Sequence, residues 1–276
     1  GLFGALYFVE SIFTYFNSEG MAKIYWNTVY GDYKLFNSGM ISRYALISIS
    51  FSAFTIFGCE VKENYSYGGL VLNVHSSTSL YDCSITDHTV VGASVIGTML
   101  SVSSLTLENV VMKNNTLIRD PSAPNLQAGL IIFFTSHIEA KNVTITGGSA
   151  QNGAFLIFGN LAIGSMTDVV LSDFYNEETK GAPLVHFTFS TVTLENWNIT
   201  NTTGLFSLSG SKITMNTILI QNLRAIYENH FLMSMYSTTL KVSDLTYEGN
   251  GERGSLLVLI GGDSNSVWLN NLHFID

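Results

Sequence analysis

The chain of 276 residues sets 12 Lys and Arg against 21 Asp and Glu, for a formal net charge of −9, and only 12 % of its residues are charged. With 46 % hydrophobic residues, 18 Phe, 13 Tyr and 3 Trp, it is not a disordered chain, because disorder goes with few aromatics and much charge. The acidity also excludes a phosphate-neutralising surface, and with it nucleic-acid binding.

Residues 1–30, rich in Phe and Tyr, read as an irregular or first-turn N-terminal segment. The apolar run 1–16 is interrupted by Glu10 and Ser11. It lacks a basic leading region and a small-residue cleavage site, and it is too short to span a bilayer, so it reads as neither signal peptide nor membrane span. Residues 31–276 read as one domain continuous with it, since the three prolines Pro121, Pro124 and Pro183 do not form a linker.

From residue 35 onward one six-residue pattern recurs: apolar, any, Asn/Asp or small, apolar, any, apolar. The clearest copies are Leu107-Glu108-Asn109-Val110-Val111-Met112 and Leu194-Glu195-Asn196-Trp197-Asn198-Ile199. Further copies begin at Met166, Val242 and Leu269, and looser ones at Leu35, Ile56, Leu80, Ala140 and Met215. Their third positions fall 21 to 33 residues apart. Each copy is followed by a second apolar run that usually starts at glycine: 69–74, 129–134, 153–158, 204–208 and 254–259, led by Gly69, Gly129, Gly153, Gly204 and Gly254. Such runs are too short and too β-branched or aromatic for helices. A two-strand unit repeated at this period predicts a coil of short strands, because one lap cannot bury its inner row alone and must stack on the next. The expected fold is all-β: a single-stranded right-handed parallel β-helix of about ten turns, 21–33 residues each. At about 4.8 Å per turn it makes a rod of roughly 50 Å. Length variation belongs to one corner, where 117–128 would bulge as a loop.

The polar third position is placed at a corner. Asn109, Asn142, Asp168, Asn196, Asp244 and Asn271 would then stack as a ladder of hydrogen-bonding side chains. Cys59 and Cys83 each follow a corner residue, in one column of adjacent turns, a separation compatible with a disulfide; two small buried thiols filling the core fit the same spacing. The sequons at Asn64, Asn114, Asn142, Asn198 and Asn201 all lie within six residues of a corner, and glycans there would decorate one flank. We expect occupancy at Asn64, Asn142 and at least one of Asn198 and Asn201.

The repeat and its glycine-led second run resemble the right-handed parallel β-helix of the pectate-lyase-like class over about residues 30–276. Runs such as Gly153-Ala154-Phe155-Leu156, paired with Ile199-Thr200-Asn201 or Met112-Lys113-Asn114, are similar to the repeats of polymorphic outer-membrane adhesins and of large β-helix surface proteins of protists. The resemblance to pectate lyases implies calcium held by clustered Asp on an outer sheet, with an Arg as base. Here the matching outward column reads Phe57, Tyr81, Glu108, Lys141, Thr167, Glu195, Asn216, Ser243 and Asn270, with no adjacent carboxylates. The Asp-Asp and Gly-His-Gly signatures of the related glycoside hydrolases are not in the sequence.

Glu63 and Asp87, five residues past their corners, offer a calcium ion two oxygen-bearing side chains where six or more ligand oxygens are needed. The histidines His75, His88, His137, His186, His230 and His273 have no metal-ligand spacing and read as surface or corner residues. Catalytic residues, metal sites and cofactors are therefore expected to be none. The last repeat copy ends at the final residues, so the apolar rows of its turn are expected either to continue in a longer polypeptide or to meet another subunit head to tail. The reading is a non-catalytic extracellular or cell-surface structural protein, a glycosylated β-solenoid forming a filament or adhesin shaft. Its partners would be copies of itself, covalent N-glycans and, as a further candidate, surface carbohydrate. A carbohydrate-active enzyme or a carbohydrate-binding β-helix is the alternative.

Overall fold

The computed structural model describes the backbone over residues 5–14, 22–25, 28–36, 47–50, 53–58, 60–62, 65–67, 71–74, 77–92, 94–99, 103–119, 129–151, 154–176, 184–202, 206–223, 230–249, 254–259 and 264–275, and side chains for most of those from Phe57 onward. These residues form strands that pair in parallel, turn upon turn, in a 16-stranded and a 10-stranded sheet. The chain folds as a parallel β-helix.

Single left-handed residues make the corners. Asn and Asp enter the left-handed region more readily than other residues with a side chain. The repeat puts them there: φ is 54° at Asp82, 55° at Asn109, 52° at Asn142, 56° at Asp168, 53° at Asn196, 58° at Asp244 and 52° at Asn271. Gly58 and Thr217 hold the same place at 68° and 55°. One such residue bends the strand without ending it, so Ser103–Ile118 and Ser136–Gln151 run through their corners as continuous strands. A second left-handed position recurs five residues later, at Asp87, Asn114, Gly147, Asp173, Asn201 and Asn222. A third precedes the first by seven residues, at Thr135, Leu161, Phe189, Gly210 and Ser237. The lap therefore has three faces: a lead face before the first corner, a trailing face after it, and the glycine-led strands of the 10-stranded sheet.

Alternation on these strands fills the interior. Val110, Val143, Val169, Trp197, Ile218 and Leu245 lie in register and are all buried. Leu107, Ala140, Met166, Leu194, Met215 and Val242 form a parallel buried column on the lead face. The Trp197 indole N–H donates to the Met166 carbonyl at 2.9 Å, which satisfies the one polar atom that this large side chain brings inside. In the glycine-led sheet Phe133, Gly159 and Phe187 occupy one column. A Cβ on Gly159 would lie 2.5 Å from Phe133 Cε2 and 2.8 Å from Phe187 Cδ1, so two rings share the space of three side chains.

One expectation changes: residues 117 and 118 do not belong to a loop. Leu117 and Ile118 are strand residues paired with Ala150 and Gln151, and Leu117 is fully buried, because the second corner at Asn114 opens a further short strand that still stacks. In the N-terminal segment Ala5–Thr14 runs parallel to Thr28–Phe36.

Candidate functional site

The sequence-derived site residues gather on the two corner columns that flank the trailing face. On the first, Asn109 Nδ2 donates to Asp82 Oδ1 at 2.8 Å and Asn142 Nδ2 to Asn109 Oδ1 at 2.8 Å. Asn196 donates to Asp168 at 3.0 Å and Asn271 to Asp244 at 2.8 Å. In every pair the donor belongs to the later turn. A carboxylate has no proton to pass on, so Asp opens each run: Asp82 before Asn109 and Asn142, Asp168 before Asn196, Asp244 before Asn271. The second column repeats the device, with Asn114 Nδ2 donating to Asp87 Oδ1 at 3.2 Å and Asn201 Nδ2 to Asp173 Oδ1.

Four of the five sequons are thereby located. Asn142 is a first-corner residue, and Asn114 and Asn201 are second-corner residues. Asn198 points outward between the corners, where Thr200 Oγ1 of the same sequon donates to its Oδ1 at 2.9 Å. Asn64 lies outside the described residues. Asn142, Asn114 and Asn201 use Nδ2, the atom that would carry a glycan, as a ladder donor. The amide of Asn198 is engaged through its oxygen in that bond. Cys83 is buried as a free thiol directed at the Tyr81 carbonyl, 3.5 Å away; Cys59 lies outside the described residues. So does Glu63, while Asp87 accepts from Asn114.

The outward lead-face column has the register read from the repeat: Phe57, Tyr81, Glu108, Lys141, Thr167, Glu195, Asn216, Ser243 and Asn270 stand opposite one another in sequence. Phe57 and Tyr81 stack at 4.9 Å, and Glu108 faces Lys141 across one strand step. Two positions over, His137 Nε2 lies 3.3 Å from Glu139 Oε1. Among the described residues no group of three His, Cys, Asp or Glu could hold a metal ion.

Among the described residues, His88 departs furthest from the surface reading of the histidines. His88 follows the second-corner residue Asp87 and points inward, 1 % exposed. Desolvation by that burial lowers its pKa from 6.5 to about 4. Its backbone N–H donates to Asn115 Oδ1 at 3.1 Å, and Asn115 Nδ2 donates to the Ile85 carbonyl at 3.0 Å, so the interior has a polar rung of its own. His186 is also shifted down by burial, stacks on Phe158 at 5.3 Å and lies 2.6 Å from Thr188 Oγ1.

A second ladder runs inside, on residues that the corner pattern did not single out. Ser190, Ser211 and Thr238 follow the third corner and are buried. The N–H of Ala162 donates to Ser190 Oγ at 3.1 Å, that of Ser190 to Ser211 Oγ at 3.0 Å, and that of Ser211 to Thr238 Oγ1 at 3.3 Å. Thr238 N–H closes the series on Asn265 Oδ1 at 3.0 Å. The hydroxyls in turn donate to carbonyls two residues back, at Thr188, Ser209 and Tyr236. A hydroxyl six residues before the first corner, at Ser190, Ser211 and Thr238, was the available signal.

No protein-family model and no curated protein matches the chain. Among solved structures it is similar to the A-module of the mannuronan C-5 epimerase AlgE4 of Azotobacter vinelandii, at 9 % identity and a TM-score of 0.36, covering 92 % of this chain and 87 % of that one. It is also similar to the catalytic domain of a GH87 α-1,3-glucanase in complex with nigerose, at 8 % identity and a TM-score of 0.35, over 98 % of this chain and 63 % of the other. The surface protein and adhesin PfbA of Streptococcus pneumoniae aligns at 12 % identity and a TM-score of 0.26, over 99 % and 92 %. Two are enzymes and one an adhesin, so function has to be argued from this chain's own residues. No helix among the described residues is long and apolar enough to cross a membrane.

Proposed function

We propose that the chain is a non-catalytic structural protein of the cell surface or extracellular space, a glycosylated β-solenoid forming a filament or adhesin shaft. The observation that carries this reading is the chemistry of the lead face. Its central outward column runs Ser79, Thr106, Glu139, Ser165, Thr193, Thr214 and Lys241, a strip of hydroxyls with single charges between them. In the neighbouring column Glu108 and Glu195 are three strand steps apart, about 14 Å, beyond the roughly 5–9.5 Å that separates the paired carboxylates of a glycoside hydrolase. The external Asn/Asp ladders support the same reading, since they stiffen a rod without building a cleft.

The competing enzymatic reading has one place to start. Glu139 lies diagonally across from Glu108 in the next turn, about 7–8 Å away, within the range for an inverting pair. A catalytic acid is kept protonated by burial, whereas the Glu139 side chain is 64 % exposed and set against His137.

End-to-end association belongs to the proposal. Negative-stain microscopy of secreted protein is expected to show rods that join at their ends, and release of reducing ends from plant, fungal and bacterial polysaccharides is expected to stay at background. Turnover abolished by Glu139→Gln would overturn the reading in favour of the enzyme. Intact mass is expected to fall on deglycosylation by at least three glycans.

A further inference from the structure

The third corner carries an exposed apolar ridge that neither the ladders nor the shaft reading uses. Leu161, Ile163, Phe189 and Tyr236 are 51 %, 61 %, 63 % and 52 % exposed. Leu161 and Phe189 are themselves corner residues, with φ of 53° and 49°, a backbone that bulky side chains avoid. The surrounding stack holds them there: Leu161 N–H donates to the Thr188 carbonyl at 2.9 Å and Phe189 N–H to the Ser209 carbonyl at 2.8 Å. Strained residues that remain exposed are a mark of functional surfaces.

The Phe189 ring is also posed. A Cβ on Gly210, the corner of the next turn, would lie 2.5 Å from Phe189 Cδ1 and 2.6 Å from Cε1. Gly210 therefore clears the room that the exposed Phe189 ring occupies beside the following corner. Tyr236 stands one strand step beyond Ser209, which adjoins Gly210, so the two aromatic positions are two turns apart, about 10 Å along the axis.

The area of the ridge decides what it takes. With about 150–250 Å² for each large side chain, the exposed parts amount to roughly 400 Å². A standard protein–protein interface needs about 800 Å² on each partner. A flat ring backed by glycine and beside the exposed polar side chains of Thr191 and Lys212 suits the apolar face of a pyranose. In an extended β-1,4-linked chain every second sugar presents the same face, and two turns of the solenoid match that disaccharide step. We propose that this ridge binds an extended β-1,4-linked polysaccharide along the solenoid axis, with Phe189 and Tyr236 stacking on alternate sugars and Thr191 and Lys212 taking their hydroxyls. The site stands whether or not the solenoid serves as a shaft.

The test is calorimetric titration of the intact chain with cellohexaose and chitohexaose, beside Phe189→Asn and Tyr236→Ala. Asparagine suits the left-handed corner, so Phe189→Asn is expected to melt at or above the wild-type temperature while affinity for the bound hexaose falls about tenfold. Tyr236→Ala is expected to weaken the same hexaose severalfold. Failure of both sugars to bind at millimolar concentration, or equal binding by Phe189→Asn, would overturn the proposal. A lowered melting temperature in Phe189→Asn would do so too, by showing that the ring is structural. Self-association in the ultracentrifuge that Phe189→Asn abolishes, without sugar binding, would assign the ridge to a protein contact and overturn it equally.

Discussion

Asn109 joins local backbone to long-range order through one side chain. It accepts a left-handed φ of 55°, donates to Asp82 and accepts from Asn142. Alanine at this position keeps the Cβ penalty of that conformation without the local hydrogen bond, and removes two ladder contacts. Asn109→Ala is expected to lose about 1–2 kcal/mol in urea unfolding, and Asn109→Gly less, since glycine relieves the backbone cost. His88 makes a second residue-level prediction, with the sign fixed by burial. Its folded pKa of about 4 is below the ordinary 6.5, so the unfolded chain binds the extra proton between those values. Stability from this group is complete above pH 6.5, falls as pH drops toward 4, and loses on the order of 3 kcal/mol over that window. In thermal melts at pH 7 and pH 4.5, His88→Leu is expected to show a smaller acid-induced drop than wild type.

At the scale of the strand, the legible and illegible parts divide by where polarity is spent. An outer corner must be polar and left-handed, so Asn and Asp at residues 109, 142, 168, 196, 244 and 271 announce themselves against apolar neighbours. The inner hydroxyl ladder does not, because a Ser in a serine- and threonine-rich chain looks like any solvent-facing residue. Only the fold turns Ser190 and Ser211 inward, where they answer buried N–H groups. His88 was misplaced for the same reason: the second corner at Asp87 reverses the alternation that would have left it outside. Removing the Ser190 hydroxyl would strand the buried N–H of Ala162, so Ser190→Ala is expected to cost about 1–3 kcal/mol by chemical denaturation. Ser190→Thr, which keeps the oxygen, is expected to cost less. Gly159→Ala would press a methyl into Phe133 and Phe187 and is expected to destabilise by about 1–3 kcal/mol through overpacking.

For the molecule as a whole, every argument rests on each lap lying over the previous one in register, so that distance along the rod counts strand steps and nothing else. The most direct measurement uses pairs of spin labels on one outward column, with both native cysteines replaced. Ser79 and Lys241 are six steps apart through Thr106, Glu139, Ser165, Thr193 and Thr214, which gives about 29 Å; Thr106 and Lys241 are five steps apart, about 24 Å. Pulsed electron paramagnetic resonance is expected to return a single narrow distance for each pair, differing by one step. Broad distributions, or a separation that does not grow with the number of steps, would contradict the stacked solenoid.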